Sequence, residues 1–103
     1  MGQMERGIMA EMSGTSGTHS LAIVVTYFPD TAALLKLLGQ LNKETEFIVI
    51  DNGTPNIQEL IESIQVYERC IELRQLKVNL GLARALNIGI EQALSLGLSL
   101  IHI

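Results

Sequence analysis

The sequence predicts an α/β fold, a doubly wound and mostly parallel open sheet with helices on both faces. Three observations carry this. Leu21-Ala22-Ile23-Val24-Val25-Thr26 and Phe47-Ile48-Val49-Ile50 are apolar without alternation, the pattern of strands buried on both faces. After each run comes a segment whose leucines or isoleucines recur at helical spacing. Strand then alternates with helix along the chain, which implies right-handed crossovers and parallel neighbours.

The first strand ends in Thr26-Tyr27-Phe28-Pro29-Asp30, where Pro29 stops the ladder and Asp30 can cap the next helix. That helix places Leu34, Leu35, Leu37, Leu38 and Leu41 on one wide apolar face, and Gly39 weakens its end. The second strand breaks off into Asp51-Asn52-Gly53, a turn sequence at a strand's carboxyl end. Pro55 and Asn56 start a second helix, with Asn56 and Glu59 spaced as a capping box and Ile57, Leu60, Ile61 and Ile64 inward. Ile71 to Leu76 partly alternates, as expected of a third strand at or near a sheet edge. A third helix is expected from Leu82 to Leu96, with Leu82, Leu86, Ile90, Ala93 and Leu94 inward and Gly97 as its stop. Leu98 to Ile103, with His102 as a core or edge residue, begins a fourth strand. Residues 1–20, with Gly2, Gly7, Gly14 and Gly17 among Ser and Thr, read as a flexible leader, leaving 21–103 as one partial domain.

Composition narrows the function. At 103 residues and 48% hydrophobic, the chain suits one domain with a modest core. A net charge of -4 excludes a basic nucleic-acid surface, and 4% aromatics without Trp excludes a base-stacking platform. The lone Cys70 has no disulfide partner and reads as a small hydrophobe. No apolar run approaches the roughly 20 residues of a membrane helix, and residues 1–20 lack a signal-peptide core, so the expected compartment is the cytoplasm.

Doubly wound sheets bind ligands outside the carboxyl ends of their strands. The turn after the first strand has no glycine, which excludes the dinucleotide G-x-G-x-x-G motif, and no P-loop sequence occurs. What stands at those ends is Thr26-Tyr27 with Pro29, then Asp51-Asn52, then Asn79 and Gly81 ahead of the third helix. Each residue carries two readings. Asp51 either meets a ligand or caps a turn. Tyr27 either covers a ring or packs on the first helix. Asn79 and Gly81 either offer a phosphate-binding helix start or an ordinary cap. Arg84 is either a cation for a diphosphate or solvated surface, and Asn87 and Gly89 suit close helix–sheet packing.

In order and spacing, these pieces resemble the amino-terminal half of the family 2 glycosyltransferases, nearest the bacterial rhamnosyltransferase-like branch. The matching patterns are V-V-T-Y-x-P at Val24–Pro29, V-D-N-G-S at Ile50–Thr54, and N-x-G-x-A-x-A-x-N-x-G from Asn79 to Gly89. Together they cover about Leu21 to Leu98. The resemblance implies a GT-A fold that binds a UDP- or dTDP-sugar and transfers the sugar, rhamnose for this branch, to a cell-surface glycan acceptor. It implies that Asp51 accepts from the pyrimidine N3–H, which an ionised carboxylate does for an imide and not for cytosine. It implies that the Thr26-Tyr27 backbone bonds a base carbonyl. Leu86 stands where many members carry an Arg that helps hold the donor.

The family's Asp-x-Asp motif, which holds Mg²⁺ or Mn²⁺ on the leaving diphosphate, and its later general base follow the fourth strand. The only aspartates here are Asp30 and Asp51, so the chain reads as a truncated fragment without metal site, base or turnover of its own. The intact enzyme is expected in the cytoplasm or peripheral at the inner membrane face. The edge left open by truncation suits homo-oligomerisation. The rival reading is a non-catalytic nucleotide-binding or regulatory module on the same sheet.

Overall fold

The structure is a computed structural model and describes residues 4–16, 19–40, 45–65, 67 and 70–95. Its elements are β1 (Gly7–Ser16), β2 (His19–Tyr27), α1 (Thr31–Gln40), β3 (Thr45–Asp51), α2 (Gln58–Gln65), β4 (Cys70–Gln75) and α3 (Leu82–Ser95). The strands form one open sheet in the order β1-β2-β3-β4. β2, β3 and β4 run parallel, with Val24 beside Val49 and Val49 beside Leu73.

Alternation along each central strand divides the core between two helical layers. Ala22, Val24, Phe47 and Val49 pack under Leu34 and Leu38 of α1 and Leu60 and Ile64 of α2. Leu21, Ile23, Val25, Ile48 and Ile50 face Ala85 and Ala93 of α3. All of these strand residues are buried, which is why β2 and β3 read as continuous apolar runs. The class predicted from the sequence is therefore the class observed.

The amino-terminal segment departs from expectation. Gly7–Ser16, expected within a flexible leader, pairs antiparallel with β2 from Gly7↔Tyr27 to Ser16↔His19, with an irregularity between Met12 and Gly14. The reason is edge chemistry. Without a neighbour on that side, β2 would carry a row of unpaired N–H and C=O groups beside a buried core. An antiparallel partner needs only a short connection and makes few demands on composition. Among the described residues β4, half-buried and then exposed at Arg74 and Gln75, is an edge as its alternation suggested.

Other local readings sort as follows. Asp30 caps α1, its Oδ1 accepting from the backbone N–H groups of Ala32 and Ala33 at 3.0 and 3.3 Å. Asn56 does not cap α2. It sits at φ +54°, a left-handed turn conformation, and the helix begins at Gln58 with Ile61 N donating to Ile57 O. Leu94 is 57% exposed rather than inward, because Ala85, Gly89 and Ala93 form the buried line of α3. Asn87 is exposed. On β4, burial pushes the Cys70 thiol up to about 11, so it is an uncharged, small apolar group near neutrality. Leu41, Gly97, His102 and the expected fourth strand lie outside the described residues.

Gly89 does serve close helix–sheet approach, since a Cβ there would lie 2.5 Å from Ile23 Cγ2. Gly89→Ala is expected to lower stability by about 1–3 kcal/mol through overpacking, more than the ~1 kcal/mol of helix propensity it gains. In an Ile23→Ala background the same change should be neutral or stabilising, and urea midpoints for this double-mutant cycle check it. Additive effects would mean that the two positions do not touch.

Candidate functional site

The carboxyl ends of β2 and β3 and the loop before α3 meet at one edge of the sheet. Their junction is built on Asp51, whose carboxylate is fully buried. Its Oδ1 accepts from Thr26 Oγ1 at 2.7 Å and from Thr54 Oγ1 at 2.8 Å, and its Oδ2 accepts from Thr54 N at 2.7 Å. Thr54 Oγ1 in turn accepts from Phe28 N at 2.8 Å. This chain of bonds holds Phe28 at φ +47°, a conformation uncommon for an aromatic residue, directly after the strand. Backbone bonds continue the junction, with Asn52 N donating to Thr26 O and Leu76 N to Asp51 O, each at 2.8 Å.

Asn52 joins this edge to the next loop. Asn52 is fully buried, and its Oδ1 accepts from Leu80 N at 2.8 Å, which fixes the amide with Nδ2 as its donor end. Nδ2 meets Met4 Sδ at 3.7 Å. Asn79 is oriented in the same way, its Oδ1 accepting from Gly81 N at 2.9 Å in a turn that leads into α3. Gly53, at φ +96°, lets the two loops touch, because a Cβ there would lie 2.7 Å from Val78 C and 2.8 Å from Asn79 N. A shallow cleft of about 430 Å³ flanks the junction, lined by Gly53, Thr54, Pro55, Gln75, Leu76 and Lys77.

The residues singled out in the sequence fare differently. Thr26, Asp51, Asn52, Asn79 and Gly81 come together. Thr26 and Asp51 do so as buried structure: the Thr26 carbonyl is already bonded to Asn52 N, and Asp51 has no exposed surface. Tyr27 is half-buried and packs edge-on to Phe28, with ring centroids 4.9 Å apart. Pro29, half-buried, shapes the turn between β2 and α1, and Arg84 is exposed on α3.

Three contributors went unread. Thr54 was legible, because an Asp followed three residues later by a Thr is a side-chain-to-backbone turn pattern. Phe28 has no sequence signal for its left-handed conformation. Met4 reaches the site only through the unexpected pairing of β1.

In open α/β sheets the carboxyl ends of the parallel strands, where these amides and the start of α3 meet, are where ligands bind. The profile of the family described as Glycosyl transferase family 2 matches residues 23–96, and the chain belongs to that family. Searches of curated proteins and of solved structures returned no match. Membership implies transfer of a sugar from a nucleotide-sugar donor to a glycan acceptor, the general activity of the family.

The divalent metal that the family implies finds no fitting ligand set among the described residues. No group of three His, Cys, Asp or Glu is placed to hold one. Asp51 is saturated by three internal donors and Asp30 caps α1. Among the described residues, no helix is long and apolar enough to cross a membrane.

Proposed function

We propose that this chain is the donor-nucleotide half of a family 2 glycosyltransferase and binds the nucleoside diphosphate of a UDP- or dTDP-sugar at the carboxyl edge of its sheet. The intact enzyme transfers that sugar, rhamnose on the closest motif pattern, to a cell-surface glycan acceptor. The metal and the general base come from residues other than those described.

One observation carries the reading. The side-chain amides of Asn52 and Asn79 are each oriented by a backbone N–H on Oδ1, and both NH₂ groups meet Met4, beneath which Asn52 is fully buried. Two fixed donors suit the carbonyl, ribose and phosphate oxygens of a nucleotide. Tyr27 and Phe28 supply an aromatic rim for the base, and the start of α3 adds its positive dipole end for the diphosphate. Asp51 in this reading supports the site from beneath, so selection against cytosine does not come from its carboxylate.

Titration calorimetry with UDP and dTDP tests the proposal. Both are expected to bind, and Asn52→Ala is expected to weaken binding at least about tenfold, or about 1.4 kcal/mol. If neither nucleotide binds at millimolar concentration, the reading is wrong.

A further inference from the structure

We infer that Met4–Arg6 is an internal placeholder that occupies the nucleotide site and must withdraw before a ligand enters. The inference rests on the donor-site reading above and adds a regulatory element to it.

Topology brings the segment there. Because β1 runs antiparallel to β2, Gly7 lies beside Tyr27, and the residues before it run onto the carboxyl edge of the parallel strands. Gly7 makes the bend at φ +147°, a conformation that side-chain-bearing residues rarely adopt. Three of the groups assigned to the ligand, on Asn79, Asn52 and Phe28, are then engaged. Met4 N donates to Asn79 Oδ1 at 3.0 Å and Asn79 Nδ2 donates to Met4 O at 2.9 Å. Asn52 Nδ2 meets Met4 Sδ, and the Arg6 guanidinium lies 4.3 Å from the centroid of the Phe28 ring.

The chemistry of the occupied groups resembles that of the expected ligand. The backbone of Met4 offers one N–H donor beside one C=O acceptor, the same pair that a pyrimidine imide edge presents. Arg6 takes the face of Phe28 that a base would otherwise cover. The segment is held by two reciprocal hydrogen bonds, a weak sulfur contact, one exposed cation–π contact and the packing of the half-buried Met4 side chain on the Leu21, Ile23 and Val25 side of the core; the polar contacts are each small enough to exchange for a ligand. A site whose open form is only a fraction of the population binds its ligand more weakly by that fraction.

The test compares the full chain with a form lacking residues 1–6 and with Arg6→Ala, titrated with dTDP and UDP. Removal of the segment is expected to tighten binding about tenfold, and Arg6→Ala by a smaller factor in the same direction. In the full chain, saturating dTDP should speed hydrogen exchange at the Met4 amide while leaving Leu80 N–H protected. Equal affinity in the full and shortened chains overturns the placeholder and leaves the donor site standing. Weaker binding by the shortened chain also overturns it, making the segment part of the site. Absence of binding in every form overturns both.

Discussion

Gly53→Ala is expected to destabilise the fold by about 3–5 kcal/mol, because two separate costs fall on one methyl group. At φ +96° a side chain strains its own backbone, by about 1–2 kcal/mol in the left-handed region. The added Cβ would also lie 2.7, 2.8 and 2.9 Å from Val78 C, Asn79 N and Val78 Cα, all backbone atoms that no rotamer change can move. Relief requires the loop before α3 to shift, which pulls Leu80 N from Asn52 Oδ1. Urea unfolding should therefore show a much lower midpoint with an unchanged slope. Gly39→Ala is the control. Gly39 lies within α1 with only the Tyr67 hydroxyl at 4.0 Å, so the change should stabilise by up to about 1 kcal/mol. Near-native stability of Gly53→Ala would show that the two loops do not meet.

The contrast between these glycines marks what the sequence can reveal. β2 and β3 were legible because burial on both faces leaves no room for polar alternation, a constraint written into each residue of Leu21–Val25 and Phe47–Ile50. β1 left no such trace. It is a strand because the edge of β2 lacks a partner, and a stretch such as Ser13-Gly14-Thr15-Ser16 carries no pattern announcing that role. Asn56 and Glu59 had capping-box spacing, yet spacing does not determine φ, and the turn after Pro55 puts Asn56 in a left-handed conformation. Gly89 was readable as a packing position because glycine within a helix demands a reason, and Ile23 supplies it. The site divides along the same line. That Asp51 and Asn52 end a strand is local and visible. Whether either faces a ligand depends on Thr26, Thr54 and Leu80, which the fold brings in from other segments.

Asp51 provides the sharper test of that division. Asp51→Ala removes the acceptor for three buried donors at once: the Thr26 hydroxyl, the Thr54 hydroxyl and the Thr54 N–H. At about 1–3 kcal/mol for each donor left unsatisfied, the expected loss of more than about 4 kcal/mol approaches the stability of a small domain. Asp51→Asn should cost less, about 1–3 kcal/mol. Its carbonyl can accept from Thr54 N while its NH₂ donates to hydroxyls that rotate to receive it. Binding separates support from recognition. A carboxylate that reads a base loses its ligand when it becomes an amide, whereas a buried support weakens the fold and leaves the site's own donors in place. Measured below the unfolding transition, Asp51→Asn is expected to bind dTDP within about threefold of the unsubstituted chain. A loss of tenfold or more, with the variant still folded, would return Asp51 to the ligand and show that Thr26 and Thr54 give it up when the nucleotide arrives.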